Sequence, residues 1–304
     1  MILITEFMDE AQVARLAGEH PTRYAPDLAD RQEDIPALMS GIRALIVRNR
    51  TQVTEALLDS APDLKIVGRL GVGLDNIDLS ACADRGIEVI PATGANTLSV
   101  AEYVVTNALV LLRGAYLSHD RMLAGEWPRS DLSGREAAGR VLGLIGFGAI
   151  AQETARLGRA MGMQVCAYDP HLPDEHSAWS EVERLDLEGV LSKADAVSLH
   201  VPLTSETRHI LNSSKLALLK PDAVLINAAR GGVVDEAALV AHMKSGHIAG
   251  AALDVFEVEP QTKESAAEFE GVKNLILTPH IAGVTEDSNV RVSEMIASEV
   301  LSRL

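Results

Sequence analysis

Short runs of Val, Ile, Leu and Ala recur along the chain, separated by longer stretches with the three-to-four-residue apolar period of a helix. Continuous apolar runs of strand length read as strands covered on both faces, as in a parallel sheet flanked by helices. Up to about Pro91 the predicted strands are Ile2–Ile4, Ala44–Val47, Leu64–Gly68 and Ile87–Ile90. The predicted helices are Met8–Ala17, Val53–Ser60 and Leu79–Arg85. This alternation describes a first, small α/β domain. A helix then runs to about Arg113, with Ser99 and Glu102 at the spacing of a capping box. Its segment Val104–Leu112 is apolar on nearly every side, which predicts burial. Residues 124–139 carry Gly, Pro, Ser and Trp127 without a period and read as a long connection.

The strand pattern restarts at Arg140–Ile145 and continues through Gln164–Tyr168, Ala196–His200, Ala223–Ile226, Ile248–Leu253 and Asn274–Leu277, with a helix predicted over Gln152–Met161. At 304 residues the chain has room for two domains. Aromatic residues make up only 3%, so both cores must be built from Ala, Val, Ile and Leu, which suits a doubly wound α/β fold. The formal charge of −16, without a dense Lys/Arg cluster, excludes nucleic acid as a partner. An anionic small substrate can still be held by local arginines. The two cysteines, Cys82 and Cys166, stand far apart in apolar surroundings and build neither a disulfide framework nor a metal site. Met1–Phe7 lacks the basic flank and cleavage site of a signal peptide, and Val104–Leu112 is too short to span a membrane. The expectation is a cytoplasmic protein with no membrane partner.

Chemistry collects at the predicted strand ends. Gly146-Phe147-Gly148-Ala149-Ile150-Ala151 follows one strand and opens a helix. In a dinucleotide fold Gly146 permits the tight turn, Gly148 admits the pyrophosphate, and Ala151 lets helix and strand pack closely. The helix amino end, with Ala149 and Ile150, offers N–H groups to phosphate. Asp169, ending the next strand, is placed to accept from both ribose hydroxyls and favours NAD over NADP. Pro202, Thr207 and Ala228 are further cofactor-binding positions. The hydroxyls of Thr204 and Thr207 can face the dinucleotide or serve an ordinary turn. Small residues at Asn227-Ala228-Ala229 let backbone lie against a flat ligand, and Arg230 beyond them can grip a carboxylate bidentately. If Glu259 accepts from one ring nitrogen of His280, the other nitrogen can exchange a proton with a ketone or hydroxyl oxygen. His200 is the rival base, but its place in a strand run predicts a hydrogen-bonded core histidine. In the first domain, glycines in Gly68–Asn76 make either an anion cradle around Val72 and Gly73 or an ordinary strand-to-helix turn. Arg48, Arg50 and Arg69 stand near the ends of two neighbouring strands.

Across nearly its whole length the chain resembles the D-isomer-specific 2-hydroxyacid dehydrogenases. The matching stretches are Gly68–Asp78, Asn96–Glu102, Gly146–Ala151, His200–Thr207, Asn227–Asp235, Leu253–Pro260 and Thr278–Gly283. The resemblance implies a Rossmann NAD-binding domain, residues 98–283, inserted into a flavodoxin-like substrate domain formed by residues 1–97 and 284–304. Arg230, Glu259 and His280 would be the catalytic arginine and acid–base pair, and Asp254 would contact the nicotinamide carboxamide. The backbone at Val72 and Gly73 would hold the substrate carboxylate, with Arg48, Arg69 and Asn76 nearby. Family members are usually dimers, so a homodimer is expected. Gly68–Asp78 and the run into Arg48 look most like 3-phosphoglycerate dehydrogenase, which points to a doubly anionic acid. Phosphoglycerate, sulfolactate, hydroxypyruvate or glyoxylate, and bulkier 2-keto acids remain open, as does an NAD-sensing binding protein of the co-repressor type. Formate dehydrogenases pair His with Gln where this chain has Glu259.

Overall fold

The computed structural model describes residues 1–304, the side chain of Leu117 excepted. It separates into two compact units, Met1–Asn96 with Val284–Leu304, and Thr97–Gly283.

The first unit carries five parallel strands: β1 (Ile2–Ile4), β2 (Thr22–Tyr24), β3 (Ala44–Val47), β4 (Ile66–Arg69) and β5 (Glu88–Pro91). Their order, β2-β1-β3-β4-β5, is that of flavodoxin. Strands β1 and β3 are apolar throughout because successive residues enter different cores. Leu3, Leu45 and Val47 pack with Leu57, Leu58 and Cys82, whereas Ile2, Ile4, Ala44 and Ile46 pack with Val292, Ile296 and Val300 of the final helix Glu286–Leu301. Asp9, Thr54 and Asp78 each cap a helix by accepting from the backbone N–H three residues on. Strand β2 is absent from the sequence expectation because it is short, lies at the sheet edge and is only partly buried.

The second unit carries seven parallel strands: β6 (Val141–Ile145), β7 (Gln164–Tyr168), β8 (Glu183–Arg184), β9 (Ala196–Leu199), β10 (Val224–Asn227), β11 (Gly250–Leu253) and β12 (Leu275–Leu277). The order β12-β11-β10-β9-β6-β7-β8 is the Rossmann arrangement with one strand added at the β12 edge. Helices Thr97–Arg113 and Ala149–Ala160 cover one face, burying Val104, Ala108, Leu111, Ala151 and Ala155 against Leu142, Leu144, Ile226 and Ala252. Helices Leu187–Lys193 and Glu236–Lys244 cover the other.

Two local expectations are corrected, and one element is new. The helix after Asn96 begins at Thr97, so Ser99 is a buried residue inside its first turn and forms no capping box with Glu102. The helix after the glycine turn begins at Ala149, directly on Gly148, rather than at Gln152. A short helix, His119–Leu123, precedes the long connection.

Candidate active site

The register of the second sheet brings the functional positions to one level. Pairing runs Tyr168–Ile145–Leu199–Asn227–Leu253–Leu277 across the carboxyl ends of six strands. The residues that follow, Asp169, Gly146, His200, Ala228, Asp254 and Thr278, therefore form a row along the edge where an open α/β sheet binds ligands. Backbone bonds fix the row: Gly146 N donates to Tyr168 O at 2.7 Å, His200 N to Ile145 O at 2.7 Å, Asp254 N to Asn227 O at 2.9 Å, and Thr278 N to Leu253 O at 3.0 Å.

The β6 end of the row suits a dinucleotide. Gly146 has φ of +88°, and a side chain there would strike His200 O at 2.6 Å. Gly148 forms the N-cap of Ala149–Ala160 and that helix has no side-chain cap, so its amino end, including Ala149 and Ile150, presents bare N–H groups. Asp169 accepts from Phe147 N at 2.7 Å through one oxygen and from His171 N and Leu172 N at 2.8 and 3.1 Å through the other. It thus holds the glycine turn in shape, with carboxylate lone-pair capacity left for a ligand. Thr207 donates to Pro202 O at 2.5 Å and accepts from Thr204 N at 2.8 Å, which closes this segment into a turn. His200 departs from expectation. Its Nε2 is enclosed yet has no hydrogen-bond partner among the described residues, and burial pushes the imidazole down to about 4. A ring kept neutral in this way is a poor proton donor.

At the β10–β12 end, Asn227 is buried and pins the turn beyond it: its amide donates to Arg230 O at 3.0 Å and accepts from Ala229 N at 3.1 Å. Arg230 Nη1 donates to Ala229 O at 2.6 Å. Gly231 lets this turn pass close to the next loop, since a Cβ there would lie 1.7 Å from Phe256 O. That loop carries Glu259, whose Oε1 accepts from Phe256 N at 2.9 Å and whose Oε2 lies 2.7 Å from His280 Nδ1. Burial alone would raise the Glu259 carboxyl. The His280 hydrogen bond, the Phe256 N–H and the charges of His280 and Arg230 outweigh it and hold the group below its usual value. Arg230, Glu259 and His280 are therefore brought together, with Nδ1 of His280 engaged by Glu259.

Asp254 is 1% exposed. Its Oδ1 accepts from Thr278 Oγ1 at 2.5 Å and Ile281 N at 2.9 Å, and its Oδ2 from Ala282 N at 2.7 Å. Much of its carboxylate is thereby committed to the turn that bears His280. The side chains of Thr278 and Asn227, which the sequence reading did not single out, are thus part of the site's frame; their position at aligned strand ends is the signal that marks them.

In the first unit, Arg48 is partly buried and donates through Nη2 to the neutral amide of Asn289 at 2.8 Å. Burial pulls its pKa below the usual arginine value, while the charge of Glu6 acts the other way. The Glu6 carboxylate is itself buried and accepts from the N–H groups of Arg48, Arg50 and Thr51. Arg69 folds over its own loop, with Nη1 3.2 Å from Leu70 O. The N–H groups of Val72 and Gly73 find no partner among the described residues. Asn76 is 8% exposed, and its amide donates to Arg48 O and Thr51 O at 3.2 and 2.6 Å. Its donors brace the Arg48 loop.

Comparison with known proteins agrees with this geometry. The family model described as D-isomer specific 2-hydroxyacid dehydrogenase, NAD binding domain, matches residues 105–282. The (S)-sulfolactate dehydrogenase of Chromohalobacter salexigens is 54% identical over 300 residues, which cover 98% of this chain and 96% of that one. The D-3-phosphoglycerate dehydrogenase of Bacillus subtilis is 42% identical over 85% of this chain, which spans 49% of that relative's length. Among solved structures, the D-lactate dehydrogenase of Aquifex aeolicus complexed with NAD and lactic acid superposes with a TM-score of 0.86 at 29% identity, covering 99% of this chain and 95% of its own. A dinucleotide turn, an aligned row of polar strand ends, and relatives matched over almost the full length place this chain in the NAD-dependent D-isomer-specific 2-hydroxyacid dehydrogenase family.

Proposed function

We propose that the substrate is a 2-hydroxy acid with a second, strong anion at C3, and that 3-sulfolactate with its keto form 3-sulfopyruvate is the pair turned over. The 54% identity to a sulfolactate dehydrogenase over nearly all of both chains carries this reading. Its (S) label is consistent with a D-specific family, because the sulfur-bearing carbon outranks the carboxyl in the naming rules and reverses the descriptor relative to D-lactate. Arg48 supports it as well: a partly buried guanidinium with a neutral amide as its side-chain partner retains charge for a sulfonate.

The remaining roles belong to the same proposal. The first unit is the substrate domain, with the Val72 and Gly73 N–H groups and Arg69 as ligands for the carboxylate and Arg48 for the distal anion. The second unit holds the cofactor at Gly146, Gly148, Ala149, Ile150, Asp169, Pro202, Thr207, Ala228 and Asp254. NAD held there would supply the hydride acceptor for C2, and NADH the donor in the reverse direction. Arg230 grips the carboxylate and polarises the adjacent oxygen. His280 Nε2 takes the hydroxyl proton as the C2–H bond breaks, and gives it back in reduction. Glu259 orients the ring through Nδ1. Assembly as a homodimer belongs to the proposal too, supported by exposed Tyr116, Met122, Leu123 and Trp127 in one short segment.

The test is NADH oxidation with 3-sulfopyruvate, 3-phosphohydroxypyruvate, hydroxypyruvate, glyoxylate and pyruvate. Sulfopyruvate is expected to give the highest kcat/KM. Arg48→Ala should cost about 10- to 100-fold with it, the loss of one charge-assisted contact, and little with pyruvate. A higher kcat/KM with phosphohydroxypyruvate or hydroxypyruvate would transfer the assignment to that acid, and no turnover with any of the five would overturn it.

A further inference from the structure

We propose that Tyr103, on the helix Thr97–Arg113, is a positioning residue for the proton-transferring His280, acting through Thr278 and Asp254. This extends the acid–base reading of His280 given above and rests on it.

The three side chains form a chain whose direction can be read from chemistry. Tyr103 Oη lies 2.7 Å from Thr278 Oγ1, and Thr278 Oγ1 lies 2.5 Å from Asp254 Oδ1. An ionised carboxylate only accepts, so the Thr278 hydroxyl donates to Asp254 and its lone pair receives the Tyr103 O–H. Burial pushes the tyrosine up to about 12, with the Thr278 hydrogen bond working against this and the charge of Asp254 adding to it, so the phenol keeps its proton over the working range.

The end of this chain is the turn that carries His280. Besides the Thr278 hydroxyl, the Asp254 carboxylate takes Ile281 N and Ala282 N, and its backbone O accepts from His280 N at 2.8 Å. His280 itself has φ of +55°. A side-chain-bearing residue is uncommon in that left-handed region and stays there only where its surroundings over-determine it. The turn is held at Thr278, His280, Ile281 and Ala282 by one aspartate. Tyr103 ties that assembly to a helix packed along the sheet and fixes the rotor of the one hydroxyl in it. Removing the phenol oxygen frees Thr278 to turn away from Asp254 and loosens the strained residue two positions on.

The experiment measures steady-state kinetics, the solvent isotope effect on kcat and NADH affinity for wild type, Tyr103→Phe, Thr278→Val, Thr278→Ser, the Tyr103→Phe/Thr278→Val double variant and His280→Gln. Tyr103→Phe is expected to lower kcat about tenfold with an increased solvent isotope effect, as proton transfer becomes slower, while NADH affinity and the melting temperature hold. Thr278→Val should lose as much or more, Thr278→Ser should recover most of it, and the double variant should be no worse than Thr278→Val alone. A Tyr103→Phe enzyme within twofold of wild type, or losses that multiply in the double variant, would overturn the proposal. Turnover retained in His280→Gln would remove the acid–base reading and the proposal with it, and is distinguishable because it needs no change at Tyr103.

Discussion

Glu236 offers a quantitative test of how the site's frame is held. It begins the helix Glu236–Lys244, is 5% exposed, and accepts from Glu257 N at 2.7 Å, thereby anchoring the loop that ends in Glu259. Burial is the largest influence on its carboxyl. The Glu257 N–H opposes it and the charges of Glu257, Glu268 and Glu259 reinforce it, so the group is pushed up from 4.5 to about 7. Between those values the unfolded chain releases this proton and the folded chain keeps it. The folded state then binds more protons, and stability falls as pH rises. The contribution is fully present below the unfolded value and lost as pH passes through the folded one. From pH 5 to pH 8.5 the loss amounts to about 2.5 kcal/mol. Glu236→Gln keeps an acceptor for Glu257 N but cannot ionise. Urea unfolding of both proteins across that range should therefore show the wild type falling away from the variant by about 2.5 kcal/mol at the alkaline end. Parallel curves from pH 5 to 8.5 would show that Glu236 titrates as an ordinary carboxylate and refute the reasoning.

Two further outcomes follow from packing. In Gly231→Ala the added methyl would sit 1.7 Å from Phe256 O; the Arg230 turn and the Glu259 loop must part, and kcat should drop by about 100-fold while NADH titration stays near wild type. Leu123→Glu/Trp127→Glu places charge on the two most exposed apolar side chains of the proposed dimer face. Sedimentation velocity should then show a monomer at concentrations where the wild type is a dimer, and an unchanged dimer would exclude that face.

Much of the fold was legible because the apolar runs are continuous only where both sheet faces are covered, and Ala44–Val47 and Gln164–Tyr168 form strands with the bounds read from sequence. The glycine turn and the Glu259–His280 pair were legible because each chemistry requires particular residue types in a local setting. Edge strands β2 and β8 were not, since short segments with exposed side chains leave no apolar run. Ser99 and Glu102 have capping-box spacing, yet the helix begins at Thr97 and buries Ser99, so tertiary packing overrides the local signal. His200 shows the opposite failure: its strand context predicted a satisfied core residue, and the structure leaves its Nε2 without a partner among the described residues. The link between Tyr103 and Thr278 joins positions 175 residues apart, a distance over which one sequence carries no pairing signal.

No helix among the described residues is long and apolar enough to cross a membrane.

The buried Glu6 gives the proposed specificity loop a separable design. Its carboxylate grips only main-chain N–H groups, those of Arg48, Arg50 and Thr51, and Asn76 likewise holds only main-chain oxygens there. These main-chain bonds do not draw on the Arg48 side chain, whose own partner is the Asn289 amide. Exchanging Arg48 gives up its bond to Asn289 and alters the charge offered to a ligand while the main-chain bonds to Glu6 and Asn76 remain, so substrate preference can be retuned at that position without rebuilding the loop's backbone.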